Sequence, residues 1–149
     1  MNIFPESISN ISTSETQIEQ NSKGFKDILY DVEKRKIVIK DGNVVIASKK
    51  EQIKQWIFLL VNTEFEKYKV YKDTKFGIVF LYEMRGHEFY SSGFTIAQIK
   101  DELTEKIEAH KWVEKVENIE VEKGFNTLTI TVTVIVEGEE IESEVQMNV

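Results

Sequence analysis

The stretch Asn126–Val149, NTLTITVTVIVEGEEIESEVQMNV, decides the fold. Leu128, Ile130, Val132, Val134 and Val136 alternate with threonine, the period of a strand with one buried face. Gly138 marks a turn, and EIESEVQMN then alternates Ile141, Val145 and Met147 with Glu142, Glu144 and Gln146. Ahead of them, VENIEVE puts Ile119 and Val121 on one face, and Gly124 marks the turn between. The economical reading is an antiparallel three-strand meander. One feature of it is odd. In a chain that is 30% charged, the threonine strand keeps an uncharged second face. Either protein covers that face, or the strand is kept ready for another to add to it.

Upstream, FKDILYD and RKIVIKDGNVVIA read as short strands. Asp41-Gly42-Asn43 supplies a hairpin turn between Ile37–Ile39 and Val44–Ile46. Ser48 stands three residues before Glu51, the spacing of a capping box that opens a helix. Ile53, Trp56, Ile57, Leu60 and Val61 follow the i, i+3, i+4, i+7, i+8 rule, and Phe58 and Leu59 widen the stripe until the helix is apolar almost all round. Such a helix is expected to have neighbours on several sides. A second helix is expected from Thr95, its cap, to about Lys111, with Ile96, Ile99, Leu103 and Ile107 in its stripe. Between the helices, Gly77, Gly86 and Gly93 punctuate an irregular, aromatic-rich segment. The fold class is therefore α+β: two main helices packed on antiparallel sheet, with an N-terminal hairpin and the C-terminal meander. Residues 1–24, rich in Ser, Thr, Asn and Gln, read as a polar arm, and 25–149 as a single domain.

Composition narrows the function. A net charge of -7 and a pI near 5.0 speak against a nucleic-acid partner. The longest apolar run, Trp56–Val61, is too short for a membrane span, and the amino terminus lacks the pattern of a signal peptide. The absence of cysteine removes disulfides and thiolate sites and fits a reducing compartment. No nucleophile motif, phosphate loop or metal-ligand spacing is present, so no catalytic residue, cofactor or metal is expected. His110 extends the stripe Leu103-Ile107 and reads as a half-buried, hydrogen-bonded histidine; His87 has no second histidine nearby. Glu64 and Glu66 could be taken for a glycosidase pair, but their spacing fixes no separation, which is what that chemistry requires. The aromatics from Phe65 to Phe94 read as core and interface anchors. This is the profile of an assembly component more than of an enzyme.

KEQIKQWIFLLVNTEFEKYKVYKDTKFGIVFLYEMRG, with the hairpin KIVIKDGNVV before it and IKDELTEKIEAHKWVEKVENIEVE after it, resembles the baseplate wedge proteins of contractile phage tails and tailocins, the sheath-initiator family, in its XkdS-like branch. The matching elements are Lys54-Gln55, Asn62-Thr63-Glu64, Tyr68 with Val70-Tyr71, and Phe76-Gly77, spread over roughly Phe25 to Val136. Phe65 departs from the pattern: the family carries arginine there, in an acid-arginine element implicated in docking onto other wedge subunits. The polar arm has no counterpart in the pattern.

The resemblance implies a non-enzymatic baseplate component of a phage or phage-tail-like bacteriocin, assembled in the host bacterial cytoplasm. It implies multiple copies in a symmetric assembly, partnered by the tail sheath protein, other wedge proteins and the tail tube. It further implies that the protein joins wedge and tube to the sheath and templates the first sheath ring by β-strand augmentation. Relatives labelled lysozyme-like leave a peptidoglycan-hydrolysing tail enzyme as the alternative. Wedge docking is expected at Asn62, Thr63, Glu64, Tyr68 and Tyr71. The sheath-docking edge is expected on one of the last two strands, at Thr129, Thr131 and Thr133 or at Ile141, Ser143, Val145, Met147 and Val149. The second strand is favoured, because Glu140, Glu142 and Glu144 give it the solvated face of a protected edge.

Overall fold

The structure, a computed structural model, describes residues 26–85 and 92–149. The arm 1–24, Phe25, and the segment with Gly86, His87, Phe89 and Tyr90 lie outside the described residues. Chain order begins with two short antiparallel pairs, β1 (Tyr30–Asp31) with β2 (Lys36–Ile37) and β3 (Ile39–Lys40) with β4 (Asn43–Val44). The expected hairpin is the second of these. Asp41 and Gly42 both take positive φ, 51° and 77°, which matches the twist of a two-residue hairpin loop. Backbone hydrogen bonds from Val38 to Leu29, Val45 to Val38 and Leu29 to Val45 tie both pairs into one small meander, closed by the Ile28–Ile46 bridge.

Helix α1 (Lys49–Val61) opens with the expected capping box: the Ser48 side chain accepts from Glu51 N, and the Glu51 carboxylate accepts from Ser48 N. Its buried face is Ile53, Ile57, Leu60 and Val61, and Trp56 and Phe58 are half-buried. Leu59 departs from the all-round apolar reading, being 47% exposed. The stripe is as wide as the sheet and the small meander can cover, and Leu59 lies outside it. Gln55 is the helix's buried polar residue. Its Oε1 accepts from Tyr30 N at 2.8 Å and its Nε2 donates to Ile28 O at 3.1 Å, fastening the meander to the helix.

After a 3₁₀ turn at Lys69–Tyr71 comes the short α2 (Phe80–Glu83). Its first amides, from Val79 and Phe80, donate to the two carboxylate oxygens of Glu102. Glu102 belongs to α3 (Gly93–Glu108), which starts one turn earlier than the sequence suggests. Ser92 is the cap, accepting from Thr95 N, while Thr95 is buried within the first turn. Both residues have cap chemistry, and Ser92 takes the position.

The meander follows: β5 (Lys115–Lys123), β6 (Thr127–Val136) and β7 (Glu139–Asn148), in the order β5-β6-β7, all antiparallel. Glu137 and Gly138, with φ of 54° and 76°, make the β6–β7 turn. Both long helices lie on one face of this sheet, α1 against β7 and α3 against β5. Between the layers, Ile53, Ile57, Ile99, Leu103, Leu128 and Ile130 are sealed from solvent. The class is α+β, as expected.

Candidate docking site

The topology settles which strand has an edge. β6 pairs with β5 from Leu128 to Ile135 on one side and with β7 along its whole length on the other. Thr129, Thr131 and Thr133 therefore sit on a central strand whose amides are used internally, and the expectation that β6 might supply the edge is corrected. Among the described residues no helix covers their hydroxyl face; it forms the half-exposed middle of the outer sheet face.

β7 and β5 are the outer strands. β5 is broken by a register shift between Val116 and Asn118, and its Val116 amide is taken by the Glu108 carboxylate at 3.0 Å. β7 is ten residues long and unbroken. Among the described residues, no backbone hydrogen bond reaches its outer side. The residues expected to dock divide by side: Ile141, Ser143, Val145 and Met147 turn inward and are buried, so only their backbone belongs to the edge. Val149 lies past the strand, its amide donating to Asn126 O. The side chains exposed along β7 are Glu139, Glu140, Glu142, Glu144, Gln146 and Asn148. A groove of about 260 Å³ separates Glu142–Glu144 from Tyr30 and Val32 of the small meander.

At the far end of β7, beside Gln146–Asn148, lies a polar cleft of about 410 Å³. Three of the five residues expected to form a wedge-docking patch line it: Asn62, Glu64 and Tyr68. They are held by the end of α1. Asn62 is its C-cap, with its side-chain amide on Phe58 O. Glu64 is fixed by pairing of the backbone about it with Ile78: Ile78 N donates to Thr63 O and Phe65 N to Ile78 O. Gly77 permits this approach. Its φ is 114°, and a Cβ there would fall 2.8 Å from Phe65 Cα. The other two expected residues are elsewhere. Thr63 is buried, its hydroxyl donating to Leu59 O at 2.6 Å, and Tyr71 stacks on Phe76 with ring centroids 4.7 Å apart.

Glu64 accepts from Lys67 Nζ at 2.7 Å, and this hydrogen bond raises the lysine's pKa above its ordinary value. Two further cations line the cleft, Arg35 and Arg85, which the sequence reading did not single out. Arg35 ends the β1–β2 turn with φ of 51°. That turn is clasped by Asp31, whose carboxylate accepts from Lys34 N at 2.9 Å; the same hydrogen bond holds its pKa below the usual carboxylate value. Outside this cleft, the His110 ring is tilted 60° against Trp56 with centroids 4.5 Å apart, and its Nδ1 accepts from Trp112 N. Burial, helped by Lys111, lowers its pKa from 6.5. Glu66 is exposed, and Glu64 is committed to Lys67.

Among the described residues no group of His, Asp and Glu is arranged to hold a metal ion, and no helix is long and apolar enough to cross a membrane. The domain is a two-layer α+β fold whose β7 edge is unpaired among the described residues and ends at a charged cleft. A family model of contractile injection system sheath initiators matches residues 26–139, and the chain belongs to that family. Membership makes it a structural component of a contractile injection system, in the tail and baseplate and among sheath and baseplate components. No curated protein matches the chain.

Proposed function

We propose that this sheath initiator joins the baseplate to the sheath by offering the β7 edge to a strand of a sheath subunit, so that the sheet continues into the first sheath ring. The observation that carries the reading is the asymmetry of the sheet. β6 is paired on both sides, β5 is kinked and partly spent on Glu108, and β7 presents a ten-residue unbroken edge. Strand addition draws its affinity from backbone hydrogen bonds and its register from alternate side chains, here Glu140, Glu142, Glu144, Gln146 and Asn148. The same glutamates keep the free edge from pairing with copies of itself before the partner arrives. In the assembled baseplate the protein is present in several symmetric copies, seated where wedge and tube meet the sheath.

Because the chain has no cysteine, single-cysteine probes report cleanly. With a short thiol-directed photocrosslinker in assembling particles, Glu142→Cys is expected to capture the sheath protein and Glu120→Cys on β5 is not. Capture from Glu120→Cys alone, or from neither position, contradicts the assignment of the edge.

A further inference from the structure

The chain contains only two arginines among its 19 basic residues, and they are far apart in sequence, at positions 35 and 85. Both line the one cleft at the end of β7. Lys67 joins them, and Glu64 is the only carboxylate there among the described residues. That carboxylate already holds Lys67. Neither guanidinium has an ion-pair partner among the described residues, and both are exposed. The setting is a chain of net charge -7, whose β7 strand is otherwise acidic on its exposed side. A cationic spot placed there runs against the general charge of the molecule.

Guanidinium differs from ammonium in offering a planar fork that grips a carboxylate through two parallel hydrogen bonds. The remaining lining fits that purpose, since Asn62, Tyr68, Gln146 and Asn148 supply polar groups around the fork and the wall is mainly polar. Position matters as much as chemistry. One end of the β7 edge carries Glu140, Glu142 and Glu144; the other, at Gln146–Asn148, meets Arg35 and Arg85. The edge is thus charge-ordered along its length.

We propose that the arginine cleft recognises acidic side chains at one end of the partner strand that adds to β7, and so fixes the direction and register of that strand. The proposal rests on the β7 edge being the sheath-docking edge. Backbone hydrogen bonding alone leaves a strand free to slip by two residues or to reverse. A carboxylate that must reach Arg35 and Arg85 removes that freedom, and basic side chains are then favoured opposite Glu140–Glu144. Reversal would put acid against acid at one end and base against arginine at the other.

The two-arginine composition makes the test direct. In a ¹⁵N-labelled sample of the full chain at mildly acidic pH, the side-chain Nε–H region has just two arginine resonances, assigned by Arg35→Lys and Arg85→Lys. On titration with hexaglutamate both are expected to move together and saturably. Hexalysine at equal ionic strength is expected to leave them in place. Movement of only one resonance, of neither, or an equal response to hexalysine overturns carboxylate recognition by the pair. In particles, the double reversal Arg35→Glu with Arg85→Glu is expected to cut the Glu142→Cys crosslink to sheath at least tenfold, with the melting temperature retained. The same reversals at Lys115 and Lys123 on β5 are expected to leave it. If the crosslink forms normally in the double-reversal variant, the cleft proposal fails while the edge assignment stands. If no crosslink forms even with both arginines present, the edge assignment itself fails.

Discussion

Thr131 sits opposite Glu120 on β5 and Glu144 on β7. Thr129 faces Glu122 and Gln146, and Thr133 faces Asn118 and Glu142. The outer sheet face is a threonine column between two largely acidic ones. Directly opposed like charges destabilise a sheet, so a glutamate in the middle column would be repelled from both sides. This is why the central strand carries no acid: threonine suits a pleated, half-exposed position and separates the acidic columns. Thr131→Glu is expected to lower stability by about 1 kcal/mol and Thr131→Lys to raise it by a few tenths, with both effects shrinking as salt is added. Denaturant midpoints at low and high salt check this, and a Thr131→Glu variant as stable as the parent contradicts it. The second residue-scale expectation concerns pH. His110 is held neutral by burial, with its pKa lowered from 6.5, so the unfolded chain takes up a proton before the folded one does. Its contribution to stability is complete above about 6.5 and is lost as pH falls through the lower folded value. Thermal unfolding of His110→Gln is expected to show a smaller loss of stability between neutral and moderately acid pH than the parent. An unchanged loss would mean the imidazole does not titrate differently in the two states.

At the scale of elements, the features readable from sequence are those set by neighbours along the chain. Ser48 and Glu51 announce the start of α1, and Asp41-Gly42 and Gly138 announce two-residue turns, because capping and positive φ need particular residues at short range. Ser92 and Thr95 show the limit of such signals, since both can cap and only the packed α3 decides between them. Leu59 shows another, for apolar periodicity does not say where coverage by the rest of the protein stops. Gln55 is legible as part of a motif but not in its role, which is to satisfy Tyr30 N and Ile28 O across a gap of 25 residues or more. Gln55→Ala removes both contacts and leaves a partly buried amide unpaired, at a cost of roughly 1–3 kcal/mol. Hydrogen exchange is expected to speed at Tyr30 and Leu29 while the β6 amides keep their protection. Equal acceleration in β6 would show that the small meander and the main sheet open as one unit.

For the whole molecule, the strand pattern predicted a meander, and the register placed β6 at its centre and β7 at its rim. The convergence of Arg35 and Arg85 was not legible, because nothing local in the sequence links a turn after β1 to the end of α2. Family membership supplies the setting, a contractile injection system in which this chain is a structural part. In the proposed reading, the layer of helices secures one face of the sheet and the β7 edge, unpaired among the described residues, takes the partner strand. The most direct measurement is a density map of an assembled particle at the level of the first sheath ring. A fourth strand hydrogen-bonded along Glu139–Asn148 and continuous with a sheath subunit is the predicted result. A sheath strand beside β5 instead, or a β7 edge facing only solvent, would contradict it.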